Sequence, residues 1–493
     1  MMRAAGLQLA IEAVAAIDAG GTTTTLYWTE CGGRGFATQP TDTPADTHFA
    51  PRIVDGGSFK REMSSGDEIG GPVRAGYGEI LLENSDGALD ALRTYSFWGR
   101  ELTIRIGRPG DAYPLEWSTV VVAQGADVSV GLRYVRLRCR DRIDDFDVPL
   151  CSGVFAGTGG LEGPTEFAGR RIPRAYYEPR GVPLLLVDAA KYIYLAAENP
   201  ASSVFNVYDG GAAVTMGATY ANTATLESTA PAAGQARVYL GGPTYVRFGT
   251  APSYDVSIHA AFLTLAGNNP ALSAVLTDEL GITTSAGSGI PLVGYWDNDD
   301  SYLAAMARAC TLSPSWFGFD RLGDFAAGDI ADPSGGTATF DFTRHNIVYI
   351  DRVAPTWCPV PVWSVMLDAD PNYSYGSNLS PSAIALYRRR YYTTHTESDA
   401  AIKDKHRNAR AVSWPIPVTA ATVAALWFDL MSADRDQLQI EAVIDHDTMG
   451  VDIADCVRVT YPRIGMDSGK KFVVVGVELV VGAVKKMRFT LWG

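Results

Sequence analysis

A chain of 493 residues is too long for one ordinary hydrophobic core and predicts several domains. With 47% hydrophobic and 19% charged residues it reads as a well-buried globular protein and not a disordered one, while a net charge of −14 disfavours non-specific nucleic-acid binding except through a local basic lining. The six cysteines (Cys31, Cys139, Cys151, Cys310, Cys358 and Cys456) include no close pair, which argues against zinc and iron–sulfur centres and fits small buried hydrophobes in a reducing compartment. No apolar run reaches about 18 residues, so no membrane-spanning segment is expected. The N-terminus holds Glu12 and Asp18 without a clustered basic region and does not read as a secretory signal.

Residues 1–17 are Ala-rich and predict a helix or a mobile arm. From Thr22 the texture becomes strand and turn: TTTTLYW reads as a strand, PTDTPADTHFAPRIVDGG as an irregular excursion, and YGEILLEN, ELTIRIG and STVVVAQG as strands. YVRLRCRDR alternates Val135, Leu137 and Cys139 with Arg136, Arg138 and Arg140, the pattern of a half-exposed antiparallel strand. Residues 151–180 are Gly/Pro-rich and suggest a boundary; GVPLLLVDAAKYIYLAAEN and VFNVYDGGAAVT then resume the strand pattern, and ARVYLGG with TYVRFG predicts a hairpin. PALSAVLTDELG, SYLAAMARACTL and residues 419–433 carry helical spacing. TATFDFT, HNIVYIDRV, LQIEAVID, DCVRVTYP, KKFVVVGVELVV and KKMRFTLWG read as strands, with a turn at Ser468–Lys470. The expected fold class is mainly β with some α, in four parts: 1–150 a β domain with an N-terminal arm, 151–250 a middle β domain, 251–340 an α+β domain, and 341–493 a C-terminal β domain.

No motif marks a catalytic, cofactor or metal site, and none is assigned. AIDAGGTTTT resembles the first phosphate-binding hairpin of the sugar kinase and actin-like ATPase superfamily, with Asp18 as the metal-positioning residue, and FAGTGG (Phe155 to Gly160) resembles its second loop. That fold needs a parallel sheet with crossover helices, and residues 45–150 show turn-punctuated strands instead; Gly20 and Gly21 are expected simply to bend the chain. Asp368 to Leu379 has oxygen side chains at alternate positions, but Tyr373 and Leu379 stand where a calcium loop needs Gly and Glu. The DNDD cluster (Asp297 to Asp300) is expected to cap the helix that follows it. No two of the six histidines sit at metal-ligand spacing, and there is no G-x-S-x-G elbow. Arg388, Arg389 and Arg390, flanked by Tyr387, Tyr391 and Tyr392, suit a solvated face, a subunit interface or a nucleic-acid contact.

An ordered set of stretches resembles the tail hub proteins of siphophages and phage-like gene transfer agents. It comprises PTDTPADTHFAPRI with GYGEILLENSDGALDAL, GVPLLLVDAAKYIYLAAEN with VFNVYDGGAAVT, SYLAAMARACTLSPSWFGFDRLGDFAAGDI, and VRVTYPRIGMDSGKKFVVVGVELVVGAVKKMRFTLWG. Residues 1–20 and 371–410 fit that pattern poorly. The resemblance implies two tail-tube-like β domains, at the two ends of the chain, in a homotrimeric ring that adapts a sixfold tail tube to a threefold tip and forms part of the DNA channel. It implies as partners a distal tail protein or the tube above, a fibre or central spike protein below, and the tape measure protein and transiting phage DNA in the channel. The implied location is the virion tail tip, reached from the host cytoplasm. No cofactor is implied: some relatives carry an iron–sulfur cluster on a Cys-rich C-terminal domain, which this sequence lacks. The alternatives are a phosphotransferase built on the Asp18 motif and a tail-associated cell-wall hydrolase.

Overall fold

The computed structural model describes residues 7–65, 68–262, 280, 292–374, 378–384, 388–418, 421–481 and 485–493. It is mainly β, with short helices between strands. The stretch PALSAVLTDELG lies outside the described residues, apart from Leu280.

The N-terminal strands are β1 (Gln8–Ala16), β2 (Thr23–Glu30), β3 (His48–Asp55), β4 (Ser58–Ser65), β5 (Glu68–Tyr77), β6 (Glu79–Glu83), β7 (Glu101–Gly107), β8 (Ser118–Val130) and β9 (Tyr134–Arg140). Seven of them close a barrel in the order β2-β1-β7-β8-β9-β6-β3, and a parallel pairing of β3 with β2 (Trp28 opposite Ala50) shuts the ring. Residues 1–17, expected as a helix or an arm, instead supply β1. The reason is a period of two: Leu9, Ile11, Ala13 and Ala15 point into the core with Ile104, Leu82 and Val135, and β1 pairs with strands on both sides. The second half of the expected irregular excursion, His48–Asp55, is likewise a strand. In β9 the alternation holds: Val135 and Leu137 are buried, Arg136 and Arg138 exposed.

The β4–β5 hairpin leaves the barrel. It lies instead in the sheet built by the other end of the chain. That sheet uses β16 (Ser315–Phe319), β17 (Phe325–Asp329), β18 (Ile347–Val353), β22 (Gln437–Ala442), β23 (Cys456–Val459), β24 (Lys470–Val481) and β25 (Lys485–Trp492). Its main path runs β17-β16-β5-β4-β24-β25-β22-β18, with Glu62 opposite Gly476 and Phe59 opposite Leu479. Two tight crossings make this possible. Gly57 has φ +76°, and a Cβ on Gly56 would stand 2.6 Å from Leu9 Cδ2. On the return, a Cβ on Gly78 would stand 2.8 Å from the Ser58 amide nitrogen. One contiguous core therefore runs from the barrel into this sheet, ending on the fully buried Trp492 against Trp357.

Between the two ends lie β10 (Leu185–Asp188), β11 (Ile193–Ala197), β12 (Ala201–Asp209), β13 (Gln235–Tyr239), β14 (Thr244–Phe248) and β15 (Val256–Phe262), which pack in two small sheets around separate hydrophobic clusters. β13 and β14 form the expected hairpin. Helix α1 (Tyr302–Ala309) buries Tyr302, Ala305, Met306 and Ala309 on one face. A three-stranded sheet, β20-β19-β21, is made by β19 (Ser364–Pro371), β20 (Tyr391–Ser398) and β21 (Ala411–Ile416), and helix α2 (Ala421–Ser432) follows it.

Candidate assembly surfaces and the interdomain junction

The turn Asp320–Asp324 between β16 and β17 is where three parts of the chain meet. Asp320 Oδ1 accepts the amides of Leu322 (2.8 Å) and Asp324 (2.9 Å), and Gly323 supplies φ +82°, so the D-R-x-G stretch makes a tight, self-capped turn. Its exposed backbone then docks on the barrel. Arg321 O accepts the Val122 amide at 2.9 Å, Arg321 Nη1 donates to Thr119 O at 3.0 Å, and Arg142 Nη1 donates to Gly323 O at 2.6 Å. Arg61, buried on the hairpin strand β4, donates to Phe319 O at 3.2 Å and pairs with Asp452, which also accepts the Arg321 amide at 3.2 Å. A cavity of about 20 Å³ lies beside this pair, lined by Tyr77, Val121, Arg321 and Leu479 among others. Asp141, at the end of β9, has a buried Oδ2 with no hydrogen-bond partner among the described residues. Burial pushes its carboxyl up to about 6 against the help of the Ile143 and Arg142 amides and of Arg61. Sequence reasoning missed Arg61, Asp141 and Asp452, because nothing local marks a pair that meets from 391 positions apart, or a carboxylate that only the fold buries.

The N-x-D-G-x-L-D stretch is also a joint. Asn84 is fully buried; its Nδ2 donates to Asp90 Oδ1 (2.9 Å) and Gly131 O (3.0 Å), and its Oδ1 accepts the Leu89 amide (2.8 Å). Asp86 holds Arg52 of β3 through two hydrogen bonds, at 2.8 and 2.9 Å.

One face of the C-terminal sheet carries charge in balance. Lys60 and Glu62 on β4, Glu478 on β24, Lys486 and Arg488 on β25 and Glu441 on β22 line up across neighbouring strands, three cations and three anions. Arg488 reaches Glu478 at 3.2 Å and Glu441 at 3.6 Å, Lys486 reaches Glu441 at 3.2 Å, and Lys60 reaches Glu62 at 2.6 Å. Lys60, Glu62, Glu441, Glu478 and Arg488, together with Tyr349, Gly476 and Thr490, floor an open groove of about 350 Å³. Gly476 keeps that floor low, since a Cβ there would stand 3.2 Å from Thr490 Cβ. Side chains on the opposite face, such as Met487, Phe489 and Leu491, are buried. The alternation in KKMRFTLW marks this face; the cross-strand pairing does not show in one sequence.

Other residues singled out in the sequence have plain structural places. Asp18, Gly20 and Gly21 form the exposed turn of the antiparallel β1–β2 hairpin, where Asp18 accepts the Thr22 amide at 3.0 Å. Phe155 sits in a middle-domain cluster with Val187 and Ile193, apart from the core that holds β1. Helix α1 is capped by Ser301 accepting from the Ala304 amide, and not by the DNDD cluster; Asp299 pairs instead with Arg171 at 2.7 Å and Asp297 lies 3.9 Å from Arg170. The first part of the calcium-like stretch is the end of β19, and residues 375–377 within it lie outside the described residues. Among the described residues no cluster of His, Cys, Asp and Glu could hold a metal ion, and no helix is long and apolar enough to cross a membrane. Burial pushes the Cys139 and Cys310 thiols up to about 12.

No protein-family model matches the chain, and no curated protein matches it. Solved structures with a similar course of chain include the 43 kDa tail protein of prophage MuSo2 from Shewanella oneidensis, at 11% identity and TM-score 0.40 over 98% of each chain. A tail protein of Neisseria meningitidis MC58 is similar at 10% identity and TM-score 0.40, over 99% of this chain and 97% of that one. A chain in the virion of a native gene transfer agent particle is similar at 13% identity and TM-score 0.42, over 66% of this chain and 84% of that one.

Proposed function

We propose that this chain is a structural hub of a phage tail tip, a homotrimer whose ring adapts a sixfold tube to a threefold tip and forms part of the DNA channel, with no catalytic role. The observation that carries the reading is that the ordered motifs fall on joints. Gly78 of the GYGEILLEN stretch makes the return crossing of the β4–β5 hairpin, Asn84 pins the β6 corner, the D-R-x-G turn of the β16–β17 hairpin docks on the barrel, and Trp492 closes the common core. A protein whose motif residues hold its parts in fixed relation, and not a reaction centre, is built to bear assembly. In this reading the parts 1–150, 151–250, 251–340 and 341–493 act as two tube-like ends around a middle, with the hairpin lent from the first to the last.

The balanced ion-paired face of the C-terminal sheet suits a channel wall. Its cations are already engaged by carboxylates, so a polyanion sliding past meets little net attraction. The tube and distal tail protein above, the spike or fibre below and the tape measure protein inside belong to the same proposal. Multi-angle light scattering of the purified chain tests it. The expected mass is three times 52.8 kDa; a chain that stays monomeric at every concentration contradicts it.

A further inference from the structure

The acidic chain carries a strongly basic exposed patch around Arg388, and its construction is specific. Arg388, Arg389 and Arg390 are all exposed, and none has a carboxylate within 4 Å among the described residues. A second loop brings Arg180 beside them. The buried Asn372 ties the two loops together: its amide donates to Arg390 O at 3.0 Å, its Nδ2 to Arg389 O at 3.5 Å, and the next amide, Tyr373, donates to Arg180 O at 3.3 Å. Arg180 lies 5.8 Å from the centre of the Tyr392 ring and Arg390 lies 5.6 Å from that of Tyr391. Asp370 stands 3.8 Å from Arg180 but is nearly buried, so it trims the patch without covering it. Phe205, 46% exposed, packs on His259, which lies close enough to Arg180 to feel its charge.

Arginine and tyrosine are the residue types that dominate protein–protein binding energy, and arginine forks suit carboxylates. The tyrosine faces here already carry guanidinium groups, which leaves them poorly placed to stack on bases. Without these four arginines the rest of the chain carries −18, against −14 with them. Two like copies therefore repel over most of their surfaces and attract where this patch meets a carboxylate-rich face.

We propose that the patch formed by Arg180, Arg388, Arg389 and Arg390 is a subunit-docking surface that takes an acidic face of a second copy of this chain. The proposal rests on the oligomeric hub reading and names one of its contacts. Sedimentation velocity on the full chain tests it, comparing the wild type with R388E/R389E/R390E and with R388Q/R389Q/R390Q at about 50 and about 500 mM NaCl. The wild type is expected to associate, and to do so less tightly in high salt. Charge reversal weakens association at least about tenfold and neutralisation weakens it less, with unchanged circular dichroism and melting. A wild type that assembles while the folded reversal variant assembles equally well overturns this inference and leaves the hub reading standing. The same holds if reversal abolishes retention of a labelled DNA duplex without touching assembly, which would make the patch a nucleic-acid contact. A wild type that never associates overturns both.

Discussion

Arg61 and Asp452 show what a single pair contributes at the junction. Both are largely withdrawn from water, so removing one partner leaves a buried charge uncompensated. Asp452→Ala is expected to cost about 3–5 kcal/mol, read by urea denaturation, whereas substitution of the exposed Asp299 should cost under about 1 kcal/mol despite its 2.7 Å pairing with Arg171. Asp141 makes the opposite case. Its folded-state carboxyl sits near 6, above the ordinary 3.8, so folding takes up a proton between those values. Its contribution is complete below the ordinary value and is lost as pH rises through about 6. Asp141→Asn keeps an acceptor for the Ile143 amide and removes the buried charge. It should raise stability at pH 8 by about 1–3 kcal/mol, with the gain shrinking towards pH 5. A gain of equal size at both pH values would show that the buried charge is not its source.

At the scale of elements, the hairpin that crosses from barrel to sheet is the least local feature and the one single-sequence reasoning could not reach. Periodicity finds strands such as YVRLRCR and KKMRFTLWG because one face is buried and the other is more exposed. It says nothing of which strand lies beside which, so the pairing of β4 with β24 stays hidden until the chain is folded. The N-terminal segment was misleading for a related reason. Alanine favours helix locally, but Leu9, Ile11, Ala13 and Ala15 alternate into a closed barrel whose tertiary pairing overrides propensity. The glycines, by contrast, were visible as turn residues and gain their meaning from the crossing. Gly57→Ala is expected to cost about 1–3 kcal/mol, since φ is +76° and the new Cβ would stand 2.8 Å from Glu79 O. Gly33, exposed with open space around it and no positive φ, is the control and should tolerate alanine.

For the whole molecule, the mainly β, multidomain character was legible in the dispersed turn residues and short apolar runs, and the structure bears it out. What composition could not supply is that the two ends share one core while the middle packs in separate clusters. That arrangement ties the first and last β units together through one core. The same chain, acidic in net charge, also carries a charge-balanced sheet face and an exposed basic patch. The most direct test of the hub reading is an electron-microscopy image of the purified particle. The account predicts class averages with threefold symmetry around an open central hole; a single compact chain without a ring, in preparations concentrated enough to assemble, would contradict it.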